Sequence, residues 1–218
     1  MSEGMLLERA ALLERGRRLE YFTIAWNAVE ALVALVSGFV SGSISLVGFG
    51  LDSLIEVASG SVLLWRMSVD ADERDRDRNE RLTLRAVGIC FLLLAAYIGY
   101  QSAVNLWSKR APERSTPGII LALVSLIAMP LLSRAKRSVG RALDSAAMVA
   151  DAKQTDFCAY LSAILLVGLL LNAMFGLWWA DPLVGLIMVP IIAKEGVVGL
   201  QGKACDDCSH ERKTIRTR

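Results

Sequence analysis

Apolar residues in this chain fall in long runs, without the two-residue alternation of a half-buried strand, and six of the runs are candidate membrane helices, the fourth of them short. The pattern predicts spans at about 21–40, 44–67, 84–106, 118–133, 144–175 and 183–200. Residues 2–20 read as an amphipathic helix with Leu6, Leu7, Ala10, Leu13 and Leu19 on one side. No breaker separates it from the first span, so it is expected to prolong that span; resting on the membrane surface is the alternative.

Polar segments divide the runs. A very short turn at 41–43 joins the first two spans. Residues 68–82 carry nearly balanced charge and are expected to be a solvated loop, with a cation-collecting cluster as the lesser reading. Pro112 and Pro117 punctuate the 108–117 loop. Pro130 is expected to kink or end the fourth span, leaving 134–143 as a basic link. The division expected is thus an N-terminal helix at 1–20, a transmembrane domain at 21–200 and a polar tail at 201–218. All five tryptophans (Trp26, Trp65, Trp107, Trp178, Trp179) fall near predicted span ends, the belt where an amphipathic ring meets headgroups.

Composition agrees with a polytopic all-α membrane protein. The chain has 218 residues, 54% of them hydrophobic, with a mean hydropathy of +0.46. A net charge of +2 gives no reason to expect a nucleic-acid partner. The four cysteines do not form a secreted disulfide framework, and the N-terminus lacks the pattern of a cleaved signal peptide. The distribution of Lys and Arg among the connections puts both termini on the cytoplasmic side of the cytoplasmic membrane. The spans hold no histidine and no nucleophile–base set, so an enzyme is not expected.

Charge inside the spans changes this picture most. Asp52 and Glu56 lie four residues apart, on one helix face and about 6 Å apart in rise. An ionised group at membrane depth costs at least ~2.5 kcal/mol. Two side by side are reasonable if a cation sits between them, or if they hold protons when it leaves. A polar packing pair is the plainer alternative. Asn27 and Glu30 share a face of the first span, where Glu30 either joins an ion path or hydrogen-bonds structurally. In the fifth span Asp151, Gln154 and Cys158 share a face, while Lys153 and Asp156 can pair with each other. The first three could complete a cage with Asp52 and Glu56, or could simply pack. Cys205, Cys208 and His210 in the tail offer three further metal donors, one short of a structural zinc site.

Two motifs carry a family resemblance. The stretch SGSISLVGFGLDSLIE at 41–56 resembles the span-2 pattern of the cation diffusion facilitators, S-G-S, an apolar run, then [H/D]-S-L-x-D. The stretch SAAMVADAKQTDFC at 145–158 is similar to their span-5 pattern S-x-A-L-x-A-D-A-L-H-S-x-x-D, matching at Ser145, Ala150, Asp151 and Ala152. Trp179, Ala180, Asp181 and Pro182 before span 6 look like the family too. The resemblance implies a six-span transporter whose metal ligands are Asp52, Glu56, Gln154 and Cys158, with Asp151, Glu30 and Asn27 as accessory candidates. Gln154 and Cys158 depart from the family's usual His or Asp and Asp. The implied partners are a divalent cation, zinc first with iron, manganese or cadmium behind it, and protons in exchange. The expected assembly is a homodimer seamed by the small residues of span 3, without the family's cytoplasmic C-terminal domain. No cofactor beyond the transported ion is implied. The alternative from a different class is a non-transporting metal-binding or scaffold protein that modulates a partner.

Overall fold

The computed structural model describes residues 3–68, 73–109, 112–143 and 145–201. The tail residues Cys205, Cys208 and His210 lie outside the described residues. Six helices follow one another: α1 Glu3–Ser41, α2 Ile44–Ser68, α3 Glu73–Ser108, α4 Thr116–Ala142, α5 Ala146–Phe175 and α6 Ala180–Leu200. Each contains a stretch long and apolar enough to cross a membrane, and the described residues contain no strand.

Local chemistry sets most of the boundaries. Gly42 adopts a φ of 68°, which a side chain would disfavour, and lets α1 fold straight back into α2. Ser115 caps α4 by accepting from the Gly118 amide at 3.2 Å, with proline in the first turn, where its missing N–H is no loss. Ser145 caps α5, and Gly176 ends it in the left-handed conformation.

Several boundaries differ from the expected ones. The run at 68–82 is not a loop throughout, because α3 begins at Glu73. Its opposite charges recur three and four residues apart in the sequence, which favours a helix in water. Nor does Pro130 end α4: the helix continues to Ala142, so 134–143 is no link. A membrane helix tolerates proline when its neighbours hold the segment beyond it. Here Ser133 donates to the Ala152 carbonyl at 2.8 Å, and Lys136 is buried among carboxylates. Trp26 is not at a helix end; it lies one turn from Glu30, packed against the core.

The helices pack chiefly in pairs, α1 with α2, α3 with α6 and α4 with α5. Phe49, Ile98, Met129, Leu161, Leu165 and Met188 fill the centre and are wholly buried. Among the small residues of α3, Gly88 serves this packing. A Cβ on Gly88 would stand 2.6 Å from the Leu200 amide nitrogen and 2.7 Å from the Gly196 carbonyl oxygen, so α3 and α6 meet there backbone to backbone. The outer side of α3 instead carries large exposed apolar residues, among them Leu93, Tyr97, Tyr100 and Trp107.

One buried carboxylate ties the turns together. Asp181, 1% exposed in the first turn of α6, accepts from the Ile44 amide at 2.9 Å, from Ser43 Oγ at 2.5 Å and from Ser45 Oγ. Ser43 Oγ itself caps α2 by accepting from the Leu46 amide at 3.2 Å, and Asp181 adds an acceptor for the first amide from another helix. Replacing Asp181 by Ala leaves these donors buried and unpaired, a loss of roughly 1–3 kcal/mol. The expected outcome is a clear drop in the melting temperature of the detergent-solubilised protein. Asp181→Asn, which keeps one acceptor oxygen, should fall less.

Candidate cation site

Glu30, Asp52 and Glu56 are 0%, 0% and 6% exposed, although each is an ionisable residue in an apolar helix. Their positions follow from the helix repeat. Asn27 and Glu30 form one inward face of α1, Asp52 and Glu56 one of α2, and the two helices are joined by a two-residue turn, Gly42 and Ser43, that holds them antiparallel. Polar residues of α4 and α5 complete the layer.

Glu30 is fully engaged. Its Oε2 accepts from Ser53 Oγ at 2.9 Å and faces Cys158 Sγ at 3.7 Å, and its Oε1 accepts from Ser125 Oγ. Asn27 Nδ2 donates to Glu56 Oε2 at 2.6 Å. Ser59 Oγ donates to Gln154 Oε1 at 3.3 Å, which ties α2 to α5. Asp52 differs from the others, since neither of its oxygens receives a hydrogen bond from the protein. Glu56 Oε1, Asn27 Oδ1 and Gln154 Nε2 are likewise buried without a partner. Native folds leave few such atoms, and four of these five are oxygen acceptors of the kind a hard cation takes.

Of the residues expected from the sequence, Asn27 thus meets Glu56, Glu30 meets Cys158, and Gln154 meets α2 at Ser59. Cys158 is wholly buried within electrostatic reach of Glu30, Asp52 and Glu56. They are not drawn into a finished cage: among the described residues no three His, Cys, Asp or Glu side chains are gathered closely enough to hold a metal ion as they stand. Asp151 points elsewhere, to an ion pair with Lys136 of α4. Asp156 receives Arg137 of α4.

Four polar residues of this region are absent from the expected set. Ser125 and Lys136 lie on the buried face of α4, eleven residues apart and so nearly in line, a signal that the helical repeat would have given had α4 been carried past Pro130. Glu20 of α1 is wholly buried against Lys136. Glu195 of α6 lies within electrostatic reach of Asp52, and only the fold brings it there.

The comparisons with known proteins agree with this arrangement. The profile of the cation efflux transmembrane domain matches residues 21–198. An uncharacterized transporter of Methanocaldococcus jannaschii is 28% identical over 79% of this chain and 62% of its own length. Transmembrane protein 163 of Xenopus laevis is 26% identical over 88% of this chain and 74% of its length. The magnetosome protein MamB of a Magnetospira species is 26% identical over 74% of this chain and 57% of its length. The chain thus spans about three fifths of the archaeal and magnetosome proteins that it matches. With a domain match over most of its length and six helices built to span a membrane, the chain belongs to the cation efflux family of transporters, the cation diffusion facilitators that its motifs resemble.

Proposed function

We propose that this protein carries a divalent metal cation, zinc first, out of the cytoplasm in exchange for protons. Asp52, Glu56, Gln154 and Cys158 are its ligands, and Glu30 and Asn27 support them. The observation that carries the reading is Asp52, wholly buried and with both carboxylate oxygens unpartnered. A carboxylate in that setting is neutralised by a cation or by a proton, and alternation between the two is antiport. Glu56 faces the same space with one free oxygen. Gln154 and Cys158 add an amide oxygen and a sulfur from the opposite helix. A thiolate favours zinc and cadmium over manganese, and the carboxylates accept any of the three.

Loading requires local rearrangement. Asn27 must give up Glu56, and Cys158 must turn from Glu30 toward Asp52. Both are side-chain rotations about helices that stay in place. With six spans, the start of α1 and the end of α6 would lie on one side of the membrane, and the Lys and Arg distribution favours the cytoplasm for that side. Two copies would associate through the exposed apolar face of α3.

Purified protein in liposomes tests this. With an acidic lumen, outward proton flow should drive zinc inward, and collapsing the pH gradient should stop it. Binding without pH-driven flux would favour a scaffold role instead. Asp52→Asn and Glu56→Gln should each lower flux by at least about tenfold, since loss of even an outer partner of a metal ligand costs that much. Normal flux in both would move the site elsewhere. Cys158→Ser should reduce zinc and cadmium flux more than manganese flux, because only the soft donor is lost. Gln154→Ala should be the mildest of the four, a neutral amide contributing least charge.

A further inference from the structure

At the end of the bundle where α4 passes into α5, an ammonium is buried between two carboxylates. Lys136 is 1% exposed, and its Nζ donates to Glu20 Oε2 at 3.0 Å and to Asp151 Oδ2. Glu20 is wholly buried, with Oε1 unpartnered, while the Asp151 side chain keeps 12% exposure. Glu20 Oε2 lies 3.7 Å from the point where a Cβ on Gly60 would stand. Gly60 is one helical turn beyond Glu56 on α2, and Glu56 is within electrostatic reach of both Lys136 and Asp151. The order along the bundle is therefore Asp52, Glu56, the Glu20–Lys136–Asp151 cluster, and then the partly exposed edge of Asp151.

A helix clasp does not need this cluster. Ser133 already binds α5 through the Ala152 carbonyl, and Arg137 binds it through Asp156. Buried ion clusters hold a fold no better than apolar residues of the same volume. Two carboxyl groups share the one ammonium. Two carboxylates match a divalent cation, and a lysine is a compact charge on a flexible four-carbon stem.

We infer that Lys136 is a tethered gate whose ammonium occupies the seat between Glu20 and Asp151 that a divalent cation takes on its way between water and the Asp52–Glu56 layer. The direction of travel rests on the transport function proposed above; the gate and the seat do not need it. With Lys136 in the seat the layer is shut from this end. A cation of charge two displaces it by satisfying both carboxylates, and the ammonium returns when the seat empties.

The gate is read with Cys158 as the only thiol, Cys90, Cys205 and Cys208 being replaced by Ser. A small cationic methanethiosulfonate labels a buried thiol in proportion to the open fraction. The charge-free triple Glu20→Gln, Lys136→Met, Asp151→Asn leaves no unpaired buried ion and should label at least about tenfold faster than the parent. The double Glu20→Gln, Lys136→Met keeps only the partly exposed Asp151 carboxylate; it should also label faster and decides the matter if the triple does not fold. Labelling at the parent rate in the folded variants makes the cluster a clasp and overturns the gate. The seat is read in an Asp52→Asn, Glu56→Gln background, which removes the two proposed carboxylate ligands. There, manganese should raise the melting temperature more when Lys136→Met is added than without it; no difference overturns the seat. Liposomes of the parent without pH-driven flux would defeat the transport function and leave both of these results standing.

Discussion

Inside a membrane-spanning bundle bulk water does not share the solvation of a charge, so each buried carboxylate needs a donor, a counter-charge, a proton or a bound cation. That constraint organises the protein. Glu30 is met by Ser53, Ser125 and Cys158, Glu20 and Asp151 by Lys136, and Asp181 by the start of α2. Asp52 alone among these is met by nothing from the protein. The contrast separates Asp52 from the carboxylates that the protein itself satisfies, where identical burial would not.

The two ends of the polar layer are closed differently. At the turn end, Asp181 fixes the starts of α2 and α6 with neutral hydroxyl and amide donors, a junction of short, fully bonded groups. At the other end closure is by charge, through a long side chain that two carboxyl groups share. A junction of the first kind resists motion. One of the second kind can be undone by any cation that competes for its carboxylates, so asymmetry between the ends is already present in the bonding.

The continuity of α4 past Pro130 makes the second closure possible. Had the helix stopped there, Lys136 would lie in a surface link and Glu20 would have no partner. The neighbours restore what proline removes: Ser133 and Lys136 each bond to α5 beyond the break, and α1 contributes Glu20. The same dependence on neighbours appears on α3, whose Gly88 has no evident use in the sequence and is fixed by the α6 backbone against it.

The sequence by itself determined the six helices, the short first turn and the inward pairing of Asp52 with Glu56, and of Asp151, Gln154 and Cys158 on one face. These are properties of run length and of a 3.6-residue repeat, which act within a single helix. It also pointed to the family through motifs that are contiguous. The tertiary structure decided which of those residues share a space. It sent Asp151 to Lys136 rather than into the layer, and it brought Ser125 to Glu30 across 95 residues of chain and Lys136 to Glu20 across 116. Such choices depend on which faces of different helices meet, and no local repeat records that. Helix packing fixed them, because only when α1, α2, α4 and α5 come together does each buried charge find, or fail to find, its partner.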